Sequence, residues 1–189
     1  MNNIQHLEII KLINELKFVE SDYLYKSEVI KKGDIVFLNE VNEIVENHSE
    51  LKKILEKKDK NIDQTQTPEL NININSNIRS ENIEIRKFYR EIAKLTHPDI
   101  IKNLKLNELY IEATNAYTIE DVATIYKICV DLMIDFEWGE HEINIIKDKI
   151  DKYKSQINFL ESTYTFLWVG AKEEDKKSVI LQYIKSKLI

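Results

Sequence analysis

A row of apolar residues near the C-terminus, spaced alternately by three and four positions, restricts this part of the chain to a helix. The row consists of Ile143, Ile146, Ile150, Tyr153, Ile157, Leu160, Tyr164 and Leu167. Such spacing is typical of a coiled-coil seam or of a long helical hairpin, because every member lies on one helix face. The face needs a partner, which is either the last helical segment or the same face of a second copy, giving a homo-oligomer through the 143–167 seam. The apolar positions of that last segment are Val179, Leu181, Ile184 and Leu188.

Helical periodicity extends to most of the remaining chain, and residues that favour turns are scarce. Three glycines and two prolines occur among 189 residues, which favours helices joined by short connections. Residues 1–58 predict an N-terminal pair of antiparallel helices with a break near Gly33. We therefore predict an all-α fold.

A polar segment, residues 59–80, separates the N-terminal helices from the rest of the chain. It is rich in Asn, Gln and Thr and lacks helical periodicity, so it predicts a linker. Its LNININ stretch alternates apolar and polar residues as a strand would, but the chain offers no second strand. We expect it to lie extended along a helical groove; the alternative is pairing between chains.

Helices are predicted again over residues 81–138, followed by a C-terminal helical hairpin over residues 139–189. Ser80 and Thr118 are predicted N-caps of two of these helices, because a hydroxyl side chain can accept a bond from a free N–H group of the first turn. Gly139 is a predicted C-cap of the helix before the hairpin.

The segment that ends in His97-Pro98-Asp99 combines a packed helix face with a cationic one. The predicted packed face contains Ile85, Phe88, Tyr89, Ile92 and Thr96. The cationic face contains Arg86, Lys87, Arg90 and Lys94. Since the residue before a proline is driven out of the α-helical region, this helix is predicted to end at His97.

The order of these residues resembles the J-domain of the co-chaperones that act on seventy-kilodalton heat-shock (DnaK-type) chaperones. The matching features are the basic helix, the His97-Pro98-Asp99 tripeptide and a following helix with Ala116-Tyr117. The following helix also contains Tyr110 and Ala113 at the positions that the resemblance covers. The resemblance spans about residues 81–117 and implies a J-domain-like helical hairpin with the tripeptide between its helices.

The resemblance also implies a function. The protein is expected to dock on a DnaK-type chaperone and to stimulate its ATP hydrolysis, with no catalysis and no cofactor of its own. The basic residues Arg86, Lys87, Arg90 and Lys94 would meet an acidic surface of the chaperone, while His97, Pro98 and Asp99 would reach the seam near its interdomain linker. The remaining helices would choose an unknown client protein or a location.

Several residues depart from the family pattern. Ile100 and Ile101 stand where lysine commonly follows the tripeptide, and Glu91 interrupts the cationic face. The Asn-rich linker stands where a short first helix is usual. These departures, with the seam, motivate an alternative function: a helical scaffold or assembly protein whose J-like motif has lost its chaperone activity.

Other functional classes lack support in the sequence. A net charge of −6 does not favour nucleic-acid binding, which needs a cationic surface. The single cysteine, Cys129, allows neither a disulfide framework nor a cysteine-based metal site. The HEINI stretch has Ile145 where a zinc-protease motif needs its second histidine. No catalytic constellation is present, so the protein is not expected to be an enzyme.

The expected location is the cytoplasm. No apolar run reaches the roughly 18 residues that a membrane span needs, and Glu8 interrupts the apolar stretch where a signal peptide would be continuous. The heavy use of Asn, Ile and Lys resembles what AT-rich genomes encode, so the location would be a host cytoplasm if the source is viral.

Overall fold

The computed structural model describes residues 3–48, 78–135 and 137–188. Within these ranges every regular element is an α-helix and no strand is present, which confirms the all-α prediction. The helices are α1 (Asn3–Glu46), α2 (Ile78–Thr96), α3 (Leu104–Thr118), α4 (Val122–Asp131), α5 (Glu140–Glu161), α6 (Tyr164–Gly170) and α7 (Glu173–Leu188). None of the helices in the described ranges is long and apolar enough to cross a membrane.

The chain divides into two compact units that are not contiguous in sequence. The first unit comprises Met1–Phe18 and Ile72–Lys152, and the second comprises Val19–Asn71 and Tyr153–Ile189. Helices α1 and α5 therefore each supply residues to both units.

The first unit is built around α2, α3 and α4, each of which contacts the other two. Helix α4 is buried over seven consecutive residues, from Ala123 to Cys129. Its Tyr126 ring lies edge-on against Phe88 of α2, with 5.8 Å between the ring centroids. The other buried apolar residues of α2 and α3 are Ile85, Ile92, Ala113 and Ala116. An apolar helix surrounded by its neighbours on all sides is the usual centre of such a core.

The second unit has its own core. Phe37 and Val41 of α1, Trp168 of α6, and Ile180 and Ile184 of α7 form one buried apolar cluster. The rings of Phe37 and Trp168 lie 5.8 Å apart, centroid to centroid. Helices α6 and α7 are in direct contact, as expected for neighbours joined by two residues.

The predicted break near Gly33 is wrong, because α1 continues through it. A Cβ atom at Gly33 would lie 2.8 Å from Cγ2 of Val169 in α6. The absence of a side chain thus permits close packing between α1 and α6, and the hydroxyl of Thr165 donates a hydrogen bond to the Asp34 carboxylate at the same place. Gly33 serves a packing contact rather than a chain reversal, so the predicted antiparallel pair is one helix as far as Glu46; residues 49–58 lie outside the described ranges.

The predicted cap at Ser80 is also wrong, because α2 already begins at Ile78. Serine costs a helix little in its first turn, so a cap preference alone does not fix where the helix starts. The last three residues of the predicted linker, 78–80, are therefore helical, while its remainder, including LNININ, lies outside the described ranges.

Thr118 does not cap a new helix but ends α3, where its hydroxyl donates to the carbonyl oxygen of Thr114 at 2.8 Å. The N-cap of α4 is Asp121, whose carboxylate accepts the N–H of Thr124 at 3.3 Å. Between them Glu120 has a left-handed backbone with φ of 56°, which closes α3 and turns the chain. Asp and Thr are both good N-caps. Because the turn at Glu120 comes after Thr118, Asp121 rather than Thr118 precedes the first turn of α4.

Gly139 is not a C-cap, because α4 ends at Asp131 and Gly139 directly precedes α5. Its N–H donates to a carboxylate oxygen of Glu142 at 2.8 Å. A glutamate three residues into a helix commonly bonds back to the N–H before the first turn, which explains the position of this glycine.

The apolar seam extends over two helices, since α5 ends at Glu161 and Thr163 caps the separate helix α6. The seam predicted over residues 143–167 is thus interrupted between Glu161 and Tyr164. Of the seam residues, Ile146, Ile150 and Ile157 are buried within the chain, whereas Leu167 is exposed.

Candidate functional site

Helices α2 and α3 form an antiparallel hairpin whose turn contains the tripeptide. The rings of Tyr89 and Tyr117 stack with 4.6 Å between their centroids. Nearer the turn, the rings of His97 and Tyr110 meet at 4.9 Å. Because the residue number rises along α2 while it falls along α3, the helices run in opposite directions, and residues 97–103 connect them at one end.

The turn is held by its backbone. Helix α2 ends at Thr96, immediately before His97, as predicted from the following proline. The N–H of His97 still donates to Ala93 at 2.9 Å, while its carbonyl oxygen accepts the N–H groups of Ile100 at 3.0 Å and Ile101 at 2.9 Å. The tripeptide therefore sits in a hydrogen-bonded turn rather than in an open loop.

The side chains of His97 and Asp99 are near each other but differ in exposure. The backbone N–H of Asp99 donates to Nδ1 of His97 at 3.2 Å, and a carboxylate oxygen of Asp99 lies 3.7 Å from the same atom. Because Nδ1 accepts a hydrogen bond, a neutral ring here carries its proton on Nε2. The His97 ring is half-buried, whereas the Asp99 side chain is 86% exposed, and Pro98 between them is exposed too.

Tyr110 of α3 contacts the His97 ring, and its hydroxyl interacts with that of Tyr89 in α2. The hydroxyl of Tyr89 lies 3.3 Å from that of Thr114. A hydrogen bond with Tyr89 raises the pKa of the Tyr110 hydroxyl, and the negative charge of Asp99 acts in the same direction. Tyr110 was not among the predicted site residues, because its contact with His97 depends on how α3 is aligned against α2, which helical periodicity does not reveal.

The cationic face of α2 is exposed beside this turn. Arg86, Lys87, Arg90 and Lys94 are all exposed, as predicted for that face. Lys94 forms an ion pair with Glu91 at 2.6 Å, so part of its charge is compensated within the helix. Among the described residues, no carboxylate pairs with Arg86, Lys87 or Arg90.

The structure thus brings together all seven predicted docking residues on α2 and its turn. The packed face opposite them contains Ile85, Phe88, Ile92 and Thr96, all buried. The buried hydroxyl of Thr96 donates to the carbonyl oxygen of Ile92 at 2.7 Å, which satisfies the polar group of this threonine. The hairpin can present cations and a fixed polar turn to a partner.

The described ranges give no support to a metal site or to a reactive thiol. No group of three or more His, Cys, Asp or Glu side chains there could hold a metal ion. Burial raises the pKa of the Cys129 thiol to about 12, so it is not a nucleophile at neutral pH.

In comparisons with protein-family models, with curated proteins and with solved structures, nothing matches this chain.

Proposed function

We propose that the protein is a J-domain-like co-chaperone that docks on a DnaK-type chaperone and stimulates its ATP hydrolysis. One observation carries the proposal: the His97-Pro98-Asp99 turn stands exposed at the end of a helical hairpin, beside the cationic face of α2. The chain supplies binding only, and the hydrolysis belongs to the chaperone.

The cationic face provides steering. Arg86, Lys87 and Arg90 are exposed and have no carboxylate partner among the described residues, so their charge accelerates encounter with an acidic surface and orients the two proteins. Because exposed charges are screened within about 8 Å at physiological salt, this contribution weakens as salt is added.

The turn provides specificity. Pro98 restricts the backbone, and the bonds from Ile100 and Ile101 to His97 hold the turn closed, so His97 and Asp99 are presented in one geometry. A partner that binds a preorganised turn loses less conformational entropy on docking. The helices outside the hairpin would then choose the client protein, and the expected place of action is the cytoplasm that contains the chaperone.

The decisive experiment is steady-state ATP turnover by a bacterial DnaK-type chaperone with this protein added, at low and moderate salt. His97→Gln and Asp99→Asn variants are the matched controls, because neither alters the buried face of α2. Acceleration by the wild-type protein and by neither variant supports the proposal.

If all three proteins leave turnover unchanged at concentrations far above those of weak encounters, the proposal is wrong for that chaperone. A stable oligomer in sizing experiments would then favour the helical scaffold. The burial of Ile146, Ile150 and Ile157 within the chain leaves less of the seam for a second copy, so the structure gives the scaffold no added support.

A further inference from the structure

Two large apolar side chains flank the exposed end of the tripeptide turn. Ile100, next to Asp99, is 70% exposed, and Leu104, the first residue of α3, is 75% exposed. Single exposed apolar residues are ordinary on protein surfaces. Here the two lie within four residues of each other at the loop end of the hairpin, next to Pro98.

The fold does not require an apolar residue at either position. Ile100 holds the turn through its backbone N–H, while the neighbouring Ile101 is the half-buried residue of the pair. Helix α3 starts because the side chain of Asn103 accepts the N–H groups of Lys105 at 3.0 Å and Leu106 at 3.3 Å. A polar residue would fill both positions at little cost to the hairpin, so packing of the hairpin does not explain the apolar side chains.

Resting on the proposed function, we infer that Ile100 and Leu104 form an apolar edge of the docking surface that packs into a recess of the chaperone. The charge of the hairpin supports this occupant, because the cations of Arg86 and Arg90 on the same hairpin complement an acidic surface and would repel a second copy of the same face. The apolar edge is continuous with the turn that this partner would contact.

The two parts of the docking surface contribute differently. Charge attraction at Arg86 and Arg90 fades as salt rises, whereas burial of apolar surface does not depend on charge screening. The apolar edge therefore maintains docking at salt concentrations that weaken the cationic face. It also favours chaperones with an apolar recess beside their acidic surface over those that present a charged group there.

The test measures the concentration of this protein that gives half-maximal stimulation of chaperone ATP turnover, at low and moderate salt. Ile100→Ser with Leu104→Ser should raise that concentration about tenfold, because two partly buried aliphatic side chains are lost. The factor should be similar at both salt concentrations. Arg90→Ala should instead show its effect mainly at low salt.

Ile119→Ser is the matched control. Ile119 is 69% exposed, but it lies at the far end of α3, and its replacement should leave the concentration unchanged. Circular dichroism of each variant verifies that the helices are intact.

The outcomes separate this inference from the proposed function. Wild-type behaviour of the double variant, together with inactive His97→Gln, overturns the apolar edge and leaves the proposed function standing. If the wild-type protein itself does not stimulate the chaperone, both fall together. Loss of a wild-type dimer in the double variant would assign the edge to a second copy and also overturn the inference.

Discussion

The imidazole ring of His97 lies edge-on against the phenol ring of Tyr110, with 4.9 Å between centroids and an interplanar angle of 69°. His97 directly follows α2, so this ring pair joins the start of the tripeptide to α3. The geometry gives Tyr110 a positioning role: it orients His97 without itself belonging to the exposed surface of the turn.

Tyr110→Leu should therefore weaken stimulation of the chaperone, while Tyr110→Phe should retain most of it, because phenylalanine preserves the ring contact. Loss of such an aromatic contact costs about 1 kcal/mol of stability, which leaves the fold intact. Half-maximal concentrations for both variants check this, with the His97 ring protons in NMR spectra as a second readout. Equal stimulation by the leucine and phenylalanine variants would show that the ring contact does not position His97.

Glu91 reduces the positive charge of the cationic face, because its carboxylate lies 2.6 Å from the Lys94 ammonium. Glu91→Gln should raise the association rate with an acidic chaperone surface about twofold to threefold at low salt, and the gain should vanish at high salt. Stopped-flow binding measures both rates. Stability should change by less than about 0.5 kcal/mol, since both side chains of this pair are exposed.

Glu174→Gln is the matched control for this change of charge. Glu174 is exposed in the first turn of α7, in the second unit of the chain. The two variants have the same net charge, so an equal rate increase in both would trace the effect to total charge rather than to the α2 face.

Asp121 links α4 and α5 of the first unit. It caps α4, accepts a hydrogen bond from the hydroxyl of Thr124 at 2.7 Å and forms an ion pair with the Lys149 ammonium of α5. Burial by itself raises the pKa of this carboxyl, but the hydrogen bond and charge of Lys149 outweigh it, so the pKa is lowered overall.

The lowered pKa predicts a loss of stability in acid. Above the unfolded-state pKa near 4 the contribution of Asp121 is fully present, and it disappears as the pH falls through the lower folded-state pKa. Asp121→Asn keeps a good N-cap but removes the charge, and it should cost about 2 kcal/mol at pH 7. In urea titrations, the difference in free energy of unfolding between Asp121→Asn and wild type should become smaller as the pH falls below 4.

Asp131→Asn supplies the comparison, because Asp131 pairs with Lys17 at a more exposed place. Asp131→Asn should lower the free energy of unfolding by less than about 1 kcal/mol. A constant deficit of Asp121→Asn from pH 7 to pH 2 would contradict the role of the Lys149 pair.

Local sequence patterns predicted the packed face of α2 and its end before Pro98, because both depend on neighbouring residues alone. The role of Gly33 as a packing position in a continuous α1 did not follow from the sequence, since the contact is with Val169, 136 positions away. The contact between His97 and Tyr110 could not be predicted from the sequence for a similar reason. Periodicity identifies which face of a helix packs, but it does not give the alignment of one helix against the next.

Gly33→Ala tests the close packing of α1 and α6. Alanine favours a helix by about 1 kcal/mol over glycine, but its Cβ would lie 2.8 Å from Cγ2 of Val169, whose branched side chain has little rotational freedom. The clash should outweigh the gain in helix propensity, so the free energy of unfolding should fall by about 1 kcal/mol, as measured by thermal or urea unfolding. In a Val169→Ala background the loss should be smaller, because the nearer methyl group is gone and only Cγ2 of Thr165, 3.1 Å from the Cβ position, still obstructs. A Gly33→Ala protein more stable than wild type would refute the contact.

Two exposed turns store backbone strain that glycine should relieve. Glu120 and Met133 follow α3 and α4 with φ of 56° and 55°. At each turn the next N–H bonds back over the helix end, Asp121 to Ala116 at 2.8 Å and Ile134 to Cys129 at 2.9 Å. This closing motif favours glycine at the left-handed position, because a side chain there costs about 1 kcal/mol.

Glu120→Gly and Met133→Gly should each raise the free energy of unfolding by about 0.5 to 1 kcal/mol, after the greater freedom of glycine in the unfolded chain is deducted. Urea titrations measure the gain. Glu120→Ala and Met133→Ala are the controls, because alanine keeps the Cβ atom responsible for the strain and should bring no benefit. The two turns close different helices, α3 and α4, so the two gains should add in the double glycine variant. If alanine stabilised as much as glycine, the gain would come from removing the Glu120 and Met133 side chains, and the backbone would not be strained.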